Sequence, residues 1–215
     1  MGEKETKTGF FGKVLSVLSG KPLEESSTDN TKTEKSFYTP DPSDPIDLQF
    51  VKKFTASGGK FLYCEKEEEA YDYIHNIITE AGISKIACED ANLKSILQKA
   101  GVENLTEELT EADAFCSSFE YLVSFNGGVM LTAKQTHGRK IAELPDIFIT
   151  IGTTSQITEN LRSALTGIRT KYRGDIPSQI TTIRGPKKEM DQTNAISDGN
   201  YINKQVYLLL LEDQN

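Results

Sequence analysis

The chain has 215 residues, with 24 Lys and Arg against 32 Asp and Glu, and its formal net charge is −8. This length suits one domain with a tail, or two small domains. An acidic chain lacks the basic stripe that a dedicated nucleic-acid binder uses, and anionic membrane surfaces attract it poorly. Its longest apolar run, VYLLLL at residues 206–211, is far shorter than the roughly 20 residues of a transmembrane helix. We therefore expect neither a nucleic-acid partner nor a transmembrane segment.

The three cysteines, Cys64, Cys88 and Cys116, are odd in number, far apart and without CxxC spacing. A disulfide framework, a zinc ribbon or an iron–sulfur cluster is not expected from such a pattern. Their apolar neighbours favour buried, reduced thiols in a cytoplasmic protein. The residues predict no metal site and no cofactor.

Composition divides the chain into three parts. Apolar residues at helical spacing predict an amphipathic helix within residues 1–20, which lacks the features of a secretory signal and is expected to dock on its own domain or on a partner. Residues 21–47 are polar and carry clustered prolines, so they have little to bury and are predicted to form a flexible linker. Residues 48–215 are predicted to form an α/β domain.

Strand-like and helix-like stretches then alternate along the domain. Strands are predicted over residues 60–65, 85–88, 112–117, 128–133, 146–151, 179–183 and 204–211. Helices are predicted over residues 67–81, 90–100 and 157–172, with Gly82 and Gly101 ending the first two and Asp90 or Asn92 capping the second. Apolar strands separated by helices imply crossover connections and a mostly parallel sheet that is covered on both faces. The predicted fold is a three-layer α/β sandwich.

In such a sheet, ligands bind beyond the carboxyl ends of the strands. Three loops qualify, and their candidate ligand-binding residues are Asn126, Gly127, Gly128, Gly152, Thr153, Thr154, Arg184, Gly185 and Lys187. Glycines allow close approach of a ligand or of another backbone, hydroxyls cap a helix or donate to an anion, and a guanidinium grips a carboxylate or phosphate. A simple turn, a helix cap and a solvated positive loop are the competing interpretations.

The residues alone do not demonstrate catalysis. His75 lies within the first long helix, and His137 lies among the basic residues of KQTHGRK at 134–140. No Ser-His-Asp set, zinc-ligand spacing or paired carboxylates emerge, and Glu120 and Glu143 are only the acidic residues nearest the candidate loops. Catalytic residues stay unknown, and whether the chain is an enzyme stays open.

Several stretches in order carry a resemblance to a known family: EADAFCSSFEYLVSFNGGVMLTA, LPDIFITIGTTSQIT, PSQITTIRGPKKE and the C-terminal VYLLLLED. From about Gly58 onward the chain resembles the lactate-utilisation (LUD) domain family, and more narrowly its lactate-utilisation protein C type. The resemblance implies a fold like that of the ribose-phosphate isomerase and CoA-transferase superfamily. It also implies a bacterial, cytoplasmic subunit of L-lactate oxidation to pyruvate that works beside iron–sulfur proteins.

The match to this family is uneven in the candidate loops. Asn126-Gly127-Gly128 stands where the family has a Thr-Gly turn, so the glycine is kept and the threonine is not. In the later loop Gly185-Pro186 is kept, whereas Lys187-Lys188 replaces a Ser-Arg pair. Ser197-Asp198-Gly199-Asn200 replaces the family's Val-His-Gly-Pro and keeps only the glycine.

Three functions follow as hypotheses. The first is an accessory or ligand-binding subunit of organic-acid oxidation that holds a small organic anion among the three loops, with iron–sulfur oxidoreductase subunits as partners. The second is a stand-alone enzyme of the same superfamily acting on a CoA thioester or sugar phosphate, for which a carboxylate with a raised pKa would be the sign. The third is a non-catalytic assembly protein that works through its N-terminal helix. Homo-oligomerisation is left open.

Overall fold

The structure is a computed structural model that describes residues 41–186, 200–201 and 204–213. The predicted N-terminal helix, Lys187 and the part of the predicted linker before residue 41 lie outside the described residues. The helices of the described part are α1 (Ile46–Ala56), α2 (Glu67–Ala81), α3 (Ala91–Lys99), α4 (Ala133–Thr136) and α5 (Leu161–Tyr172). Its strands are β1 (Lys60–Cys64), β2 (Ile86–Ala87), β3 (Leu105–Thr106), β4 (Ala114–Ser117), β5 (Tyr121–Val123), β6 (Gly128–Leu131), β7 (Ile147–Thr153), β8 (Ile157–Thr158), β9 (Thr181–Arg184), β10 (Asn200–Tyr201) and β11 (Gln205–Leu211).

Six strands form a first sheet in the order β1-β11-β7-β4-β2-β3, and every neighbouring pair in it is parallel. The long central strands β7 and β11 pair along seven residues each, from Ile147 beside Gln205 to Thr153 beside Leu211. The apolar runs that the sequence identifies therefore become the centre of the sheet. The mostly parallel sheet is confirmed.

Both faces of the first sheet are covered. On one face, Cys116, Ile149 and Leu209 join an apolar cluster with residues of α2 and α3. Because side chains alternate along a strand, Phe115, Phe148 and Leu208 face the other side, and they are buried as well. Helix α1 contacts β1 and β8, one strand from each sheet. This arrangement confirms the predicted three-layer α/β sandwich.

A second, mixed sheet of five strands has the order β10-β9-β6-β5-β8. Strand β6 is antiparallel to both β5 and β9, and α5 packs on the sheet through Ala164 and Ile168. The sequence pattern does not predict β5, β8 or β10, because strands of two or three residues are too short to show an alternation.

Local signals explain the helix boundaries. Gly82 has a φ of 64° and ends α2, while the Asp90 carboxylate caps α3 by accepting from the Asn92 and Leu93 amides at 2.9 and 3.1 Å. Helix α5 begins at Leu161 rather than at residue 157, because Ile157–Thr158 pairs with β5 and Asn160 supplies the cap. Helix α1, which the pattern does not predict, begins at Ile46. Within the described part of the chain, no helix combines the length and the apolar character needed to cross a membrane.

Candidate functional site

The strand order places a topological switch point between β2 and β4. From β2 the chain moves outward to β3 and then returns to the other side of β2 as β4. Where the connections from two neighbouring strands run in opposite directions, a crevice opens beyond the carboxyl ends of those strands. Ligands bind at such a crevice. Cys88, Glu89 and Asp90 follow β2 at this edge, and Ser118, Phe119 and Glu120 follow β4.

Two of the three loops predicted from sequence meet at one end of the second sheet. The β6–β9 register pairs Val129 with Ile183, so its continuation sets Gly128 beside Arg184. We call Asn126, Gly127, Gly128, Arg184 and Gly185 the glycine corner. The Asn126 side chain closes the turn by accepting from the Gly128 amide at 3.1 Å.

Protein atoms fill the space beside the glycines of this corner. Gly127 has a φ of 65°, and a Cβ at this position would lie 2.6 Å from the Phe54 amide nitrogen at the end of α1. A Cβ on Gly185 would lie 2.2 Å from the Gly59 nitrogen. Arg184 is only 9% exposed. The close approach that these glycines permit is therefore that of another backbone segment.

The third predicted loop lies elsewhere, at the carboxyl edge of the first sheet. Gly152 belongs to β7, and a Cβ on it would lie 2.4 Å from the Phe119 ring. The Thr154 hydroxyl and the Ser155 amide donate to the Asp213 carboxylate at 3.0 and 2.6 Å. Burial raises the pKa of Asp213, but the hydrogen bonds from Ser155 and Thr154 outweigh that effect and lower it.

This loop thus holds a carboxylate that the chain itself supplies. Thr153 does not cap α5, whose cap is Asn160, and its hydroxyl instead contacts that of Ser155 at 2.9 Å. The structure brings the two loops of the glycine corner together and sets Gly152, Thr153 and Thr154 against Phe119, Gln156 and Asp213. A ligand-binding role for these residues stays a prediction.

A buried acidic group lies beside the switch point. Glu120, which is 2% exposed, accepts hydrogen bonds from Gln135 at 2.8 Å, from Lys171 at 2.7 Å and from Tyr172 at 2.6 Å. Burial raises the pKa of Glu120, yet the three donors together lower it below its ordinary value. Glu120 is therefore held as a carboxylate. It joins the β4–β5 connection to α4 and to the last turn of α5.

The segment around α4 also lines an open cavity. The cavity has a volume of about 290 Å³ and lies where β9 begins. We call it the cationic cavity because Arg139 and Lys140, both exposed, belong to its lining. The full lining is Thr136, Arg139, Lys140, Ile141, Gln179, Ile180 and Thr181.

A close contact between two side chains ties the same segment to the switch point. His137 ends α4 with a φ of 50°, and its Nδ1 lies 2.9 Å from a carboxylate oxygen of Glu89, the second residue after β2. The chain between α4 and the cavity lining thus contacts the carboxyl end of β2. His75, the other histidine, is exposed on α2.

The ligand-binding loops predicted from the sequence all contain glycine, and they do not include this basic segment. The charge pattern could have indicated this segment, because residues 134–173 hold seven basic and three acidic residues in a chain whose net charge is −8. What charge could not show was a cavity, because Gln179 and Thr181 reach the basic segment only through the pairing of β9 with β6.

The sign expected of a catalytic carboxylate is not found at Glu120, whose pKa is lowered rather than raised. Glu143 is exposed and accepts from the Lys140 amide at 3.1 Å, an interaction that closes a local turn. Across the described ranges, no three or more His, Cys, Asp or Glu residues cluster as metal ligands would.

Comparisons with known proteins agree with this fold. A family model described as the LUD domain matches residues 48–211. A crystal structure of a DUF162 family protein from Deinococcus radiodurans superposes with a TM-score of 0.53 at 16% sequence identity, covering 78% of this chain and 96% of that chain. No curated protein matches the sequence. At this identity the structural likeness shows the fold alone.

Proposed function

Because the chain belongs to the LUD domain family, we propose that it binds a small organic anion as an accessory or ligand-binding subunit of bacterial L-lactate oxidation. The observation that carries this proposal is the cationic cavity. It is an open space whose lining includes the basic residues Arg139 and Lys140, and the neighbouring His137 contacts Glu89 at the switch point.

The cavity has the size and chemistry for such a ligand. Its volume of about 290 Å³ lies just below the range of about 300–1,000 Å³ that holds drug-sized molecules, so a metabolite of a few carbons fits. Arg139 offers a planar fork that suits a carboxylate, and Lys140 adds a second positive charge. Ile141 and Ile180 supply apolar contact for a methyl group.

Titration calorimetry of the full chain with sodium L-lactate tests the proposal. We expect binding with a Kd on the order of 1 mM or below, and binding at least about tenfold weaker in the double variant Arg139→Gln/Lys140→Gln, since hydrogen bonds to charged groups contribute about 1.5–3 kcal/mol each. The matched control is Arg162→Gln/Arg169→Gln, which removes the same charge from exposed positions of α5 and should bind as the wild type does.

Further titrations locate the binding site and distinguish between classes of ligand. Arg184→Gln tests the glycine corner in the same titration, and weakened binding in that variant alone would move the site there. Inorganic phosphate, a sugar phosphate and a CoA thioester are titrated alongside, because a cationic lining also suits phosphate groups. If wild-type protein binds no carboxylate, the proposed function fails.

The proposal that the protein works in a complex is based on its membership of the LUD domain family. We propose iron–sulfur oxidoreductase subunits as partners, and cytoplasmic localisation follows from that role. Co-purification with the products of neighbouring genes tests this: iron–sulfur and cysteine-rich oxidoreductase subunits should be recovered. A chain lacking residues 1–20 shows whether the N-terminal segment mediates the contact. Recovery of neither subunit with the full chain would contradict the assignment.

A further inference from the structure

Two of the three cysteines are neighbours in the first sheet, although 27 residues lie between them in the sequence. The β2–β4 register pairs Ile86 with Ala114 and Ala87 with Phe115. One step further along both strands it sets Cys88 beside Cys116. The Cys88 thiol donates to the Asp90 carbonyl oxygen, which lies 3.7 Å from its sulfur.

The two side chains point to the same face. In parallel strands, paired residues share a face, and Cys88 and Cys116 both belong to the apolar cluster beneath α2 and α3. Both thiols are free and buried. No part of the anion site proposed above uses them.

Their separation suits a covalent bond. Neighbouring strands lie about 4.8 Å apart, and a disulfide requires Cα atoms about 4.4–6.8 Å apart. Cys64 is the natural comparison, because it is buried in the same cluster but lies in β1. The strands β11 and β7 separate β1 from β4, and the register sets Lys60 rather than Cys64 level with Cys116. Cys64 therefore lies at least about 14 Å from Cys116, beyond bonding distance.

We propose that Cys88 and Cys116 are a redox site that closes to an intramolecular disulfide on exposure to a hydroperoxide. The Cys88 thiolate attacks hydrogen peroxide and takes one oxygen to form a sulfenic acid. The hydroxide that leaves takes up the proton that the Cys88 thiol lost on ionising, and becomes water. The Cys116 sulfur then attacks the sulfenic acid and displaces a second water. The two thiols lose two electrons and two protons, and one hydrogen peroxide becomes two water molecules.

The surroundings assign the two roles. The neighbouring Cys116 thiol lowers the pKa of Cys88, whereas the neighbouring Cys88 and full burial raise the pKa of Cys116. Cys88 thus attacks first and Cys116 resolves. Access comes through local opening of β2, which has two residues and whose outer neighbour, the edge strand β3, also has two.

The experiment treats the folded full chain with hydrogen peroxide, then unfolds it and labels free thiols with N-ethylmaleimide. Trypsin cleaves after Lys60, Lys66, Lys85, Lys94, Lys99 and Lys134, so it places the three cysteines on separate peptides. We expect one label per chain, on Cys64, and a cross-linked pair of peptides carrying Cys88 and Cys116. Dithiothreitol should restore all three labels.

Three variants make the test specific. Cys64→Ser should still form the bond, whereas Cys88→Ala and Cys116→Ala should not. Three labels on the oxidised wild type, a disulfide that includes Cys64, or formation of the bond only after prior unfolding in urea would each overturn the proposal. Because the wild type and Cys64→Ser carry the test by themselves, it stands even if a substitution at Cys116 prevents folding.

Discussion

The glycine corner and the cationic cavity lie at opposite ends of the β6–β9 ladder, and they differ in what occupies the space beside the backbone. At one end, Gly128 lies beside Arg184, and the neighbouring glycines are packed against the end of α1 and the start of β1. At the other end, Leu131 pairs with Thr181, which lines an open cavity together with the segment that follows α4.

This contrast shows what a glycine in a loop signifies. A loop glycine allows a ligand or another part of the protein to approach the backbone closely, but the sequence does not show which of the two does so. At Gly127 and Gly185, other backbone segments of the protein make this close approach. The space that a ligand could use is lined instead by long basic side chains, which carry no such local signal.

The largest effect that sharpens the comparison is expected at Gly127. Gly127→Ala should lower the free energy of unfolding by about 2–5 kcal/mol, because it adds left-handed strain to overpacking against the backbone of α1. Gly82→Ala is the matched control: its φ of 64° is nearly the same as the 65° of Gly127, but nothing lies within 4 Å of its Cβ position. The control should lose only about 1–2 kcal/mol.

Urea unfolding followed by circular dichroism measures both variants. Equal losses in the two would show that the corner is open rather than packed, and would restore it as a place for a ligand.

A smaller loss is expected at the buried carboxylate near the cavity. Glu120→Gln should cost about 1–3 kcal/mol at neutral pH, because an amide nitrogen replaces one of the oxygens that accept from Gln135, Lys171 and Tyr172. Glu159→Gln, at an exposed position, should change stability by less than about 0.5 kcal/mol. Urea unfolding of both variants at the same pH measures the difference.

The pH dependence of this difference has a definite sign. The folded pKa of Glu120 is lowered, so its contribution is fully present above the unfolded value of about 4.5 and is lost as the pH falls through the folded pKa. The gap between wild type and Glu120→Gln should therefore narrow in acid. A gap that widens as the pH falls from neutral toward 4.5 would mean that Glu120 is neutral in the folded protein.

The smallest effect is expected at Asp213, which holds the Gly152 loop from the far end of β11. Asp213→Asn should lower stability by about 0.5 kcal/mol or less, since the residue is only partly buried and solvent screens its hydrogen bonds. Differential scanning calorimetry should show a fall in Tm of about 1–2 °C, and Asp175→Asn should show none. A fall of many degrees would make this contact a main support of the sheet edge.

Local patterns predicted the elements that bury one apolar stripe. Helix α2 lies where periodicity and Gly82 place it, and β7 and β11 lie in the two strongest apolar runs. Helix α1 was missed because its buried Phe50 and Phe54 lie within a few residues of the proline-rich stretch that dominates the composition there. Strands β5 and β8 were missed because a two- or three-residue strand exists only through its partner.

The candidate site also has features that the sequence predicted and features that it could not predict. From the sequence, Gly127 was expected to let a ligand or another backbone approach, Gly152 to permit a tight turn and Arg184 to grip an anion. The sequence could not show which residues are their neighbours. The Glu120 cluster joins residues 120, 135, 171 and 172, and no spacing between them follows a helical or strand period.

By itself, the sequence determined the α/β class, the parallel central strands and the kinship from which the proposed function begins, because each depends on apolar periodicity or on motif order along the chain. Only the tertiary structure decided which glycines face protein, where an open cavity remains and which thiols are neighbours. Those facts depend on strand order and register, which bring distant segments together, and a one-residue shift in register would change every such contact.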